Sequence, residues 1–86
     1  MDNRQRQFLD TLNKSLGILT LALQQSGVRR DEYDGWMEEM EFEEQVNLIS
    51  ESSLDFVENQ LMRQIREGDL SAITFYLKTK GKHRGY

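Results

Sequence analysis

Two arginines, Arg29 and Arg30, follow the tripeptide Ser26-Gly27-Val28 and open a stretch in which Tyr33 and Trp36 recur at helical spacing. A guanidinium at the first turn of a helix can grip a phosphate or take the edge of a guanine in two-point fashion. Arg29, Arg30 and Tyr33 are therefore the first candidates for chemistry directed at nucleic acid. Arg4, Arg6 and Lys14 supply further cations upstream, and Lys78, Lys80, Lys82 and Arg84 supply four more near the other end. Such residues can add phosphate contacts and salt dependence. For the last four, a merely solubilising tail is the competing reading.

Other residue types offer less. His83 is the one histidine and lies among the terminal cations, with no nucleophile or carboxylate beside it to make a catalytic pair. The carboxylates of Glu38, Glu39, Glu41, Glu43 and Glu44 could in principle hold a hard cation. Calcium and magnesium, however, need oxygens converging from a shaped loop, so a solvated helix face is expected, with a basic partner surface as the lesser alternative. There is no cysteine, no glycine-lysine phosphate loop and no metal-ligand spacing. No enzymatic activity, cofactor or metal is expected.

Charge is unevenly spread along the 86 residues. The formal net charge is -4, which by itself argues against generic nucleic-acid binding. Residues 1–30 nevertheless sum to +3, 31–58 hold eleven acids and no Lys or Arg, 59–77 balance, and 78–86 sum to +4. The acidic segment would be repelled by DNA and must face elsewhere.

The elements that position these groups are helices. The chain has no proline, six glycines and 30% charged residues, a composition that favours helix over a sheet built on tight turns. Phe8, Leu9, Leu12 and Leu16 make one apolar stripe from Arg4 to Leu16, ended by Gly17. Thr20 is placed to cap a short second helix through Gln25, closed by Ser26-Gly27. A third helix is expected from Arg30 to Met40, with Tyr33, Trp36, Met37 and Met40 on its apolar face and Gly35 inside it.

From Glu41 to Glu67 no breaker appears and apolar residues recur at spacings of three and four, which predicts a helix of about 25 residues, about 40 Å long. Gly68 stops it, Asp69 caps a return helix carrying Leu70, Ile73, Phe75, Tyr76 and Leu77, and Gly81 ends that. The expected fold is all-α, with a helix-turn-helix three-helix unit over residues 4–40. A long helix and its return follow over 41–81 as an oligomerisation scaffold, and 82–86 form a basic tail. So small a chain, 37% hydrophobic and without disulfides, gains most by burying more surface in an oligomer.

Gly17-x-x-Thr20, then Ser26-Gly27-Val28, then Tyr33 and Trp36 resemble the amino-terminal DNA-binding domain of phage small terminase subunits. The run from Ile65 through Arg66-Glu67-Gly68-Asp69-Leu70 to Tyr86 is similar to the way that family leaves its long helix. Together these stretches span about Arg6 to Tyr86. Arg29 stands where the family often has a capping serine, Leu23 where it often has a smaller residue, and Gly35 where it often has arginine. The resemblance implies a multimeric component, often a ring, that recognises double-stranded DNA and hands it to a separate large terminase subunit bearing the ATPase and nuclease.

Two other classes fit the residues. A phage or prophage transcription regulator would use the same helix-turn-helix as a symmetric dimer. A protein-interaction module that has lost DNA binding would explain the acids Asp31, Glu32 and Asp34 in the reading helix. Ile18 to Leu23, the longest strongly apolar stretch, is far too short to span a bilayer, and no leader opens the chain, so a cytoplasmic setting without membrane partners is expected.

Overall fold

The computed structural model describes residues 1–86 and is built from five α-helices without strands: α1 (Asn3–Lys14), α2 (Leu19–Ser26), α3 (Arg30–Trp36), α4 (Met40–Arg66) and α5 (Leu70–Lys80). A single 3₁₀ turn, Lys82–Arg84, follows. The chain forms two compact units, Met1–Leu54 and Asp55–Tyr86, so the division falls inside α4 and not at residues 40 and 41. The reason is packing: Phe42, Val46 and Ile49, on the first turns of α4, belong to the hydrophobic cluster of the first unit.

In the first unit α1 begins with a capping box. The Asp2 carboxylate accepts from the Gln5 backbone N–H at 2.8 Å, and the Asp2 N–H donates to the Gln5 side-chain oxygen at 3.0 Å. Two of the donors that a helix start leaves unpaired are thereby satisfied. Gln5 is buried, and its amide nitrogen donates on to the Glu39 carboxylate at 2.9 Å, so the cap also fixes the loop before α4.

Helix α1 ends with Leu16 and Gly17 both at positive φ, 56° and 74°. The Gly17 N–H donates to the Leu12 carbonyl and the Leu16 N–H to the Asn13 carbonyl, the paired bonds of a Schellman closure. Gly17 then lies against α4, where a Cβ would stand 3.5 Å from Ser53 Oγ and 3.6 Å from Ser50 Cα.

Helix α2 starts two residues before the position expected from a Thr20 cap. Ile18 is its N-cap and makes no side-chain cap bond, so Thr20, already inside the first turn, does not serve as the cap. Helix α3 stops at Trp36 instead of Met40. Residues 37–39 form a tight turn in which the Glu38 and Glu39 N–H groups donate to the Gly35 and Trp36 carbonyls. Met40 consequently opens α4, leaves the apolar face of α3 and is 76% exposed.

The core holds Phe8, Leu9, Leu12, Ala22, Val28, Tyr33 and Phe42, with Leu19, Leu23, Trp36 and Met37 packed around it. Its centre is aromatic. Phe42 has its ring centroid 5.4 Å from Trp36, 6.0 Å from Tyr33 and 6.2 Å from Phe8, and the first two pairs meet edge to face. Such pairs add about 0.5–1.5 kcal/mol each beyond the area they bury.

In the second unit the Asp69 carboxylate caps α5 by accepting from the Ala72 N–H at 2.8 Å. Gly81 is needed where α5 ends, since a Cβ there would stand 2.7 Å from the Leu77 carbonyl oxygen and 3.1 Å from the Tyr86 ring. Lys82–Arg84 is thus turned structure, where the sequence suggests only a tail. Ala72 is the one buried hydrophobic side chain of this unit. Phe56, Val57, Met62, Leu70, Phe75 and Tyr76 are all substantially exposed.

Candidate nucleic-acid interface

The candidate site is the corner between α2 and α3. Gly27 closes α2 at φ 74°, a left-handed conformation that a residue with Cβ enters only at a cost. The Val28 N–H donates to the Ser26 hydroxyl at 3.2 Å, and the Val28 side chain is buried in the core. This two-point anchorage leaves Arg29 and Arg30 exposed at the start of α3. Ala22, fully buried, is the small residue that lets α2 approach the core, while Leu23 is only partly buried.

Each arginine of this corner has an acidic companion. Arg29 Nε lies 3.4 Å from Asp31 Oδ1, and Arg30 Nε donates to Asp34 Oδ1 at 3.1 Å. Arg4, from α1, takes the Glu32 carboxylate with two donors, Nε to Oε2 at 2.7 Å and Nη2 to Oε1 at 2.9 Å. That fork holds the Glu32 carboxyl below the usual carboxylate range and raises the Arg4 guanidinium further. Lys14 pairs with Asp10 at 2.9 Å. All these side chains are largely exposed except Glu32, so the pairs formed by Arg29, Arg30 and Lys14 contribute little to stability and exchange readily for another anion.

The residues named from sequence are brought together only in part. Arg4, Gln7 and Thr11 of α1 line one cleft of about 130 Å³ with Ser26 and Val28, which places Arg4 beside the α2–α3 corner. Arg6 is exposed on α1 without an ion-pair partner. Tyr33 is a correction: it is 7% exposed, with its ring 5.6 Å from Phe8 and 6.0 Å from Phe42, and burial pushes its hydroxyl pKa up. A ring held in the core holds α3 in place and does not reach a base edge.

Lys78, Lys80, Lys82 and Arg84 belong to the second unit, are exposed, and make no ion pair. Arg63 and Arg66, on the last turns of α4, are equally exposed and unpaired, and sequence reasoning passed over them because Glu67 and Asp69 balance them in a count. Their i, i+3 spacing on a helix was the available signal. The first unit carries a formal charge of -6 and the second +2, with His83 neutral.

The acids from Glu38 to Glu44 are exposed, and nowhere in the chain do three His, Asp or Glu side chains gather as a metal site would require. No helix is long and apolar enough to cross a membrane.

Fold and site thus define an all-α chain in which a glycine corner displays two arginines beside a third, each matched by a carboxylate. No protein-family model, curated protein or solved structure matches the chain.

Proposed function

We propose that the chain is a DNA-recognition component that works as a multimer, in the manner of the phage small terminase subunits it resembles. In this reading α3 is presented to double-stranded DNA, and a separate large terminase subunit supplies ATP hydrolysis and cleavage. The observation that carries it is the α2–α3 corner. Gly27 at positive φ and the buried Val28 hold Arg29 and Arg30 outward at the first turn of α3, the position from which such a helix meets phosphates and base edges.

A phosphate arriving there would exchange with Asp31 and Asp34 for these guanidiniums. The acids would weaken each single encounter, and several corners on one DNA would recover affinity through effective concentration. The apolar surface left open on Asp55–Tyr86 supports a multimer, since a unit with one buried hydrophobic side chain has little core of its own. Titration of duplex DNA against salt, with wild type and R29A/R30A, tests the reading. Binding that falls as salt rises, and that is weaker and less salt-dependent in the variant, supports it.

One observation favours a second reading. The Arg4–Glu32 fork spends a guanidinium inside the protein and keeps an anion on α3, as an interaction module that no longer meets DNA would do. Absence of salt-dependent binding by wild type would select that module.

A further inference from the structure

The second unit contains an apolar groove of about 430 Å³ lined by Leu61, Met62 and Ile65 of α4 and by Phe75 and Tyr76 of α5. Lys80 and Glu58 border it, and Arg66 lines the adjoining hollow with Met62, Ile65 and Tyr76. A groove of this composition between two helices suits an amphipathic helix laid along it.

The same chain exposes a matching helix face in its other unit. Glu44, Asn47, Leu48 and Glu51 fall at i, i+3, i+4 and i+7 of α4 and form one stripe, in which Leu48 is 61% exposed between two carboxylates. Neither Glu44 nor Glu51 has an ion-pair partner, and neither do Arg66 and Lys80. The stripe lies in the unit of charge -6 and the groove in the unit of charge +2. Apolar centre meets apolar centre, and the acids Glu44 and Glu51 meet a rim of Arg66, Lys80 and the single acid Glu58, which leaves the rim with a net positive charge.

We infer that the α4–α5 groove receives the Glu44–Leu48–Glu51 stripe of a second copy of this chain, giving a head-to-tail joint. Groove and stripe are different surfaces, so a single joint is heterologous and leaves a free stripe on one copy and a free groove on the other. Repetition then builds an open filament or a closed ring, of which a reciprocal pair with two such joints is the smallest. The inference deepens the multimer invoked above and rests on that reading, but it concerns protein alone and is tested without DNA.

Sedimentation of the full chain without DNA tests it, with two surface variants, Leu48→Asp on the stripe and Phe75→Asp in the groove. Wild type is expected to form a dimer or larger species, and each variant alone to lose them, with association weakened at least about tenfold by a carboxylate forced into an apolar contact. Mixed together, the variants are expected to form a 1:1 complex that grows no further, because one intact groove and one intact stripe remain. That recovery also shows that both variants are folded.

A monomeric wild type, a variant that associates like wild type, or a mixture with no 1:1 complex would each overturn the head-to-tail joint. If the joint holds while DNA fails to bind, the DNA reading alone falls.

Discussion

The Arg4 guanidinium clasps the Glu32 carboxylate through two hydrogen bonds, 2.7 and 2.9 Å, across 28 residues of sequence. The fork joins the exposed side of α1 to the first turns of α3, so the helix proposed to meet DNA is tied to the scaffold by the same kind of group that would meet phosphate. In that proposal the charge on α3 serves anchoring through Glu32 and DNA contact through Arg29 and Arg30.

The pH dependence of the fork has a definite sign. Folding lowers the Glu32 pKa from its ordinary value of 4.5, so the folded state favours the charged carboxylate. Its contribution is present above that value and is lost as pH falls through the lowered folded value. NMR titration of the Glu32 side chain should give a midpoint below 4.5 in wild type and one moved up toward 4.5 in Arg4→Ala; identical midpoints would refute the fork.

Neutralising the companions of the corner arginines should strengthen DNA binding. Asp31→Asn with Asp34→Asn removes two negative charges and frees Arg29 and Arg30 from pairs at 3.4 and 3.1 Å. Affinity for a DNA duplex at low salt should rise by about tenfold, from modest surface electrostatics at two positions. An unchanged or reduced affinity in fluorescence anisotropy would show that α3 does not approach phosphate.

Phe42 is fully buried and has the Phe8, Tyr33 and Trp36 rings around it. Phe42→Ala should cost about 3–5 kcal/mol, enough to unfold much of a chain this small at room temperature. Urea titration followed by Trp36 fluorescence reads the same contact, because the indole lies 5.4 Å from the Phe42 ring. A loss below about 1 kcal/mol would mean that the aromatic cluster is not the centre of the core.

The same substitution at two glycines should have opposite effects. Gly27 sits at φ 74° with open space where a Cβ would go, so Gly27→Ala should destabilise by about 1 kcal/mol through backbone strain alone. Gly35 lies within α3, at an ordinary helical φ and also in open space, so Gly35→Ala should stabilise by about 1 kcal/mol. Thermal unfolding of both variants checks the pair, and shifts of equal sign would contradict it.

Sequence periodicity carried much of the fold because helices leave a strong signal. Of the stripe, Phe8, Leu9 and Leu12 become buried while Leu16, past the helix end at φ 56°, is 44% exposed; Gly27 does close α2 in a left-handed conformation, and Asp69 does cap α5. The break between α3 and α4 was not legible, since no glycine or proline marks residues 37–39 and the turn is made by backbone bonds alone. The Asp2-x-x-Gln5 capping box carried a readable pattern that the apolar stripe overshadowed.

The site was legible in residue type and less so in partnership. Arg30 with Asp34 and Asp10 with Lys14 follow from i, i+4 spacing. Arg4 with Glu32 and Gln5 with Glu39 join residues 28 and 34 positions apart and depend on how α1 packs. Tyr33 was ambiguous for a physical reason, because a tyrosine at the first turns of α3 suits both a base edge and a core; the surrounding rings decide for the core.

The central claim is that Arg29 and Arg30 form a DNA-facing corner, and the salt dependence of DNA binding tests it most directly. Wild type should bind a duplex with an affinity that falls steadily as salt rises. In R29A/R30A the affinity should drop, and the slope against the logarithm of salt should shrink by about two, one phosphate contact for each arginine removed. Equal affinity and equal slope for the two proteins, or no salt-dependent binding by wild type, would contradict the account.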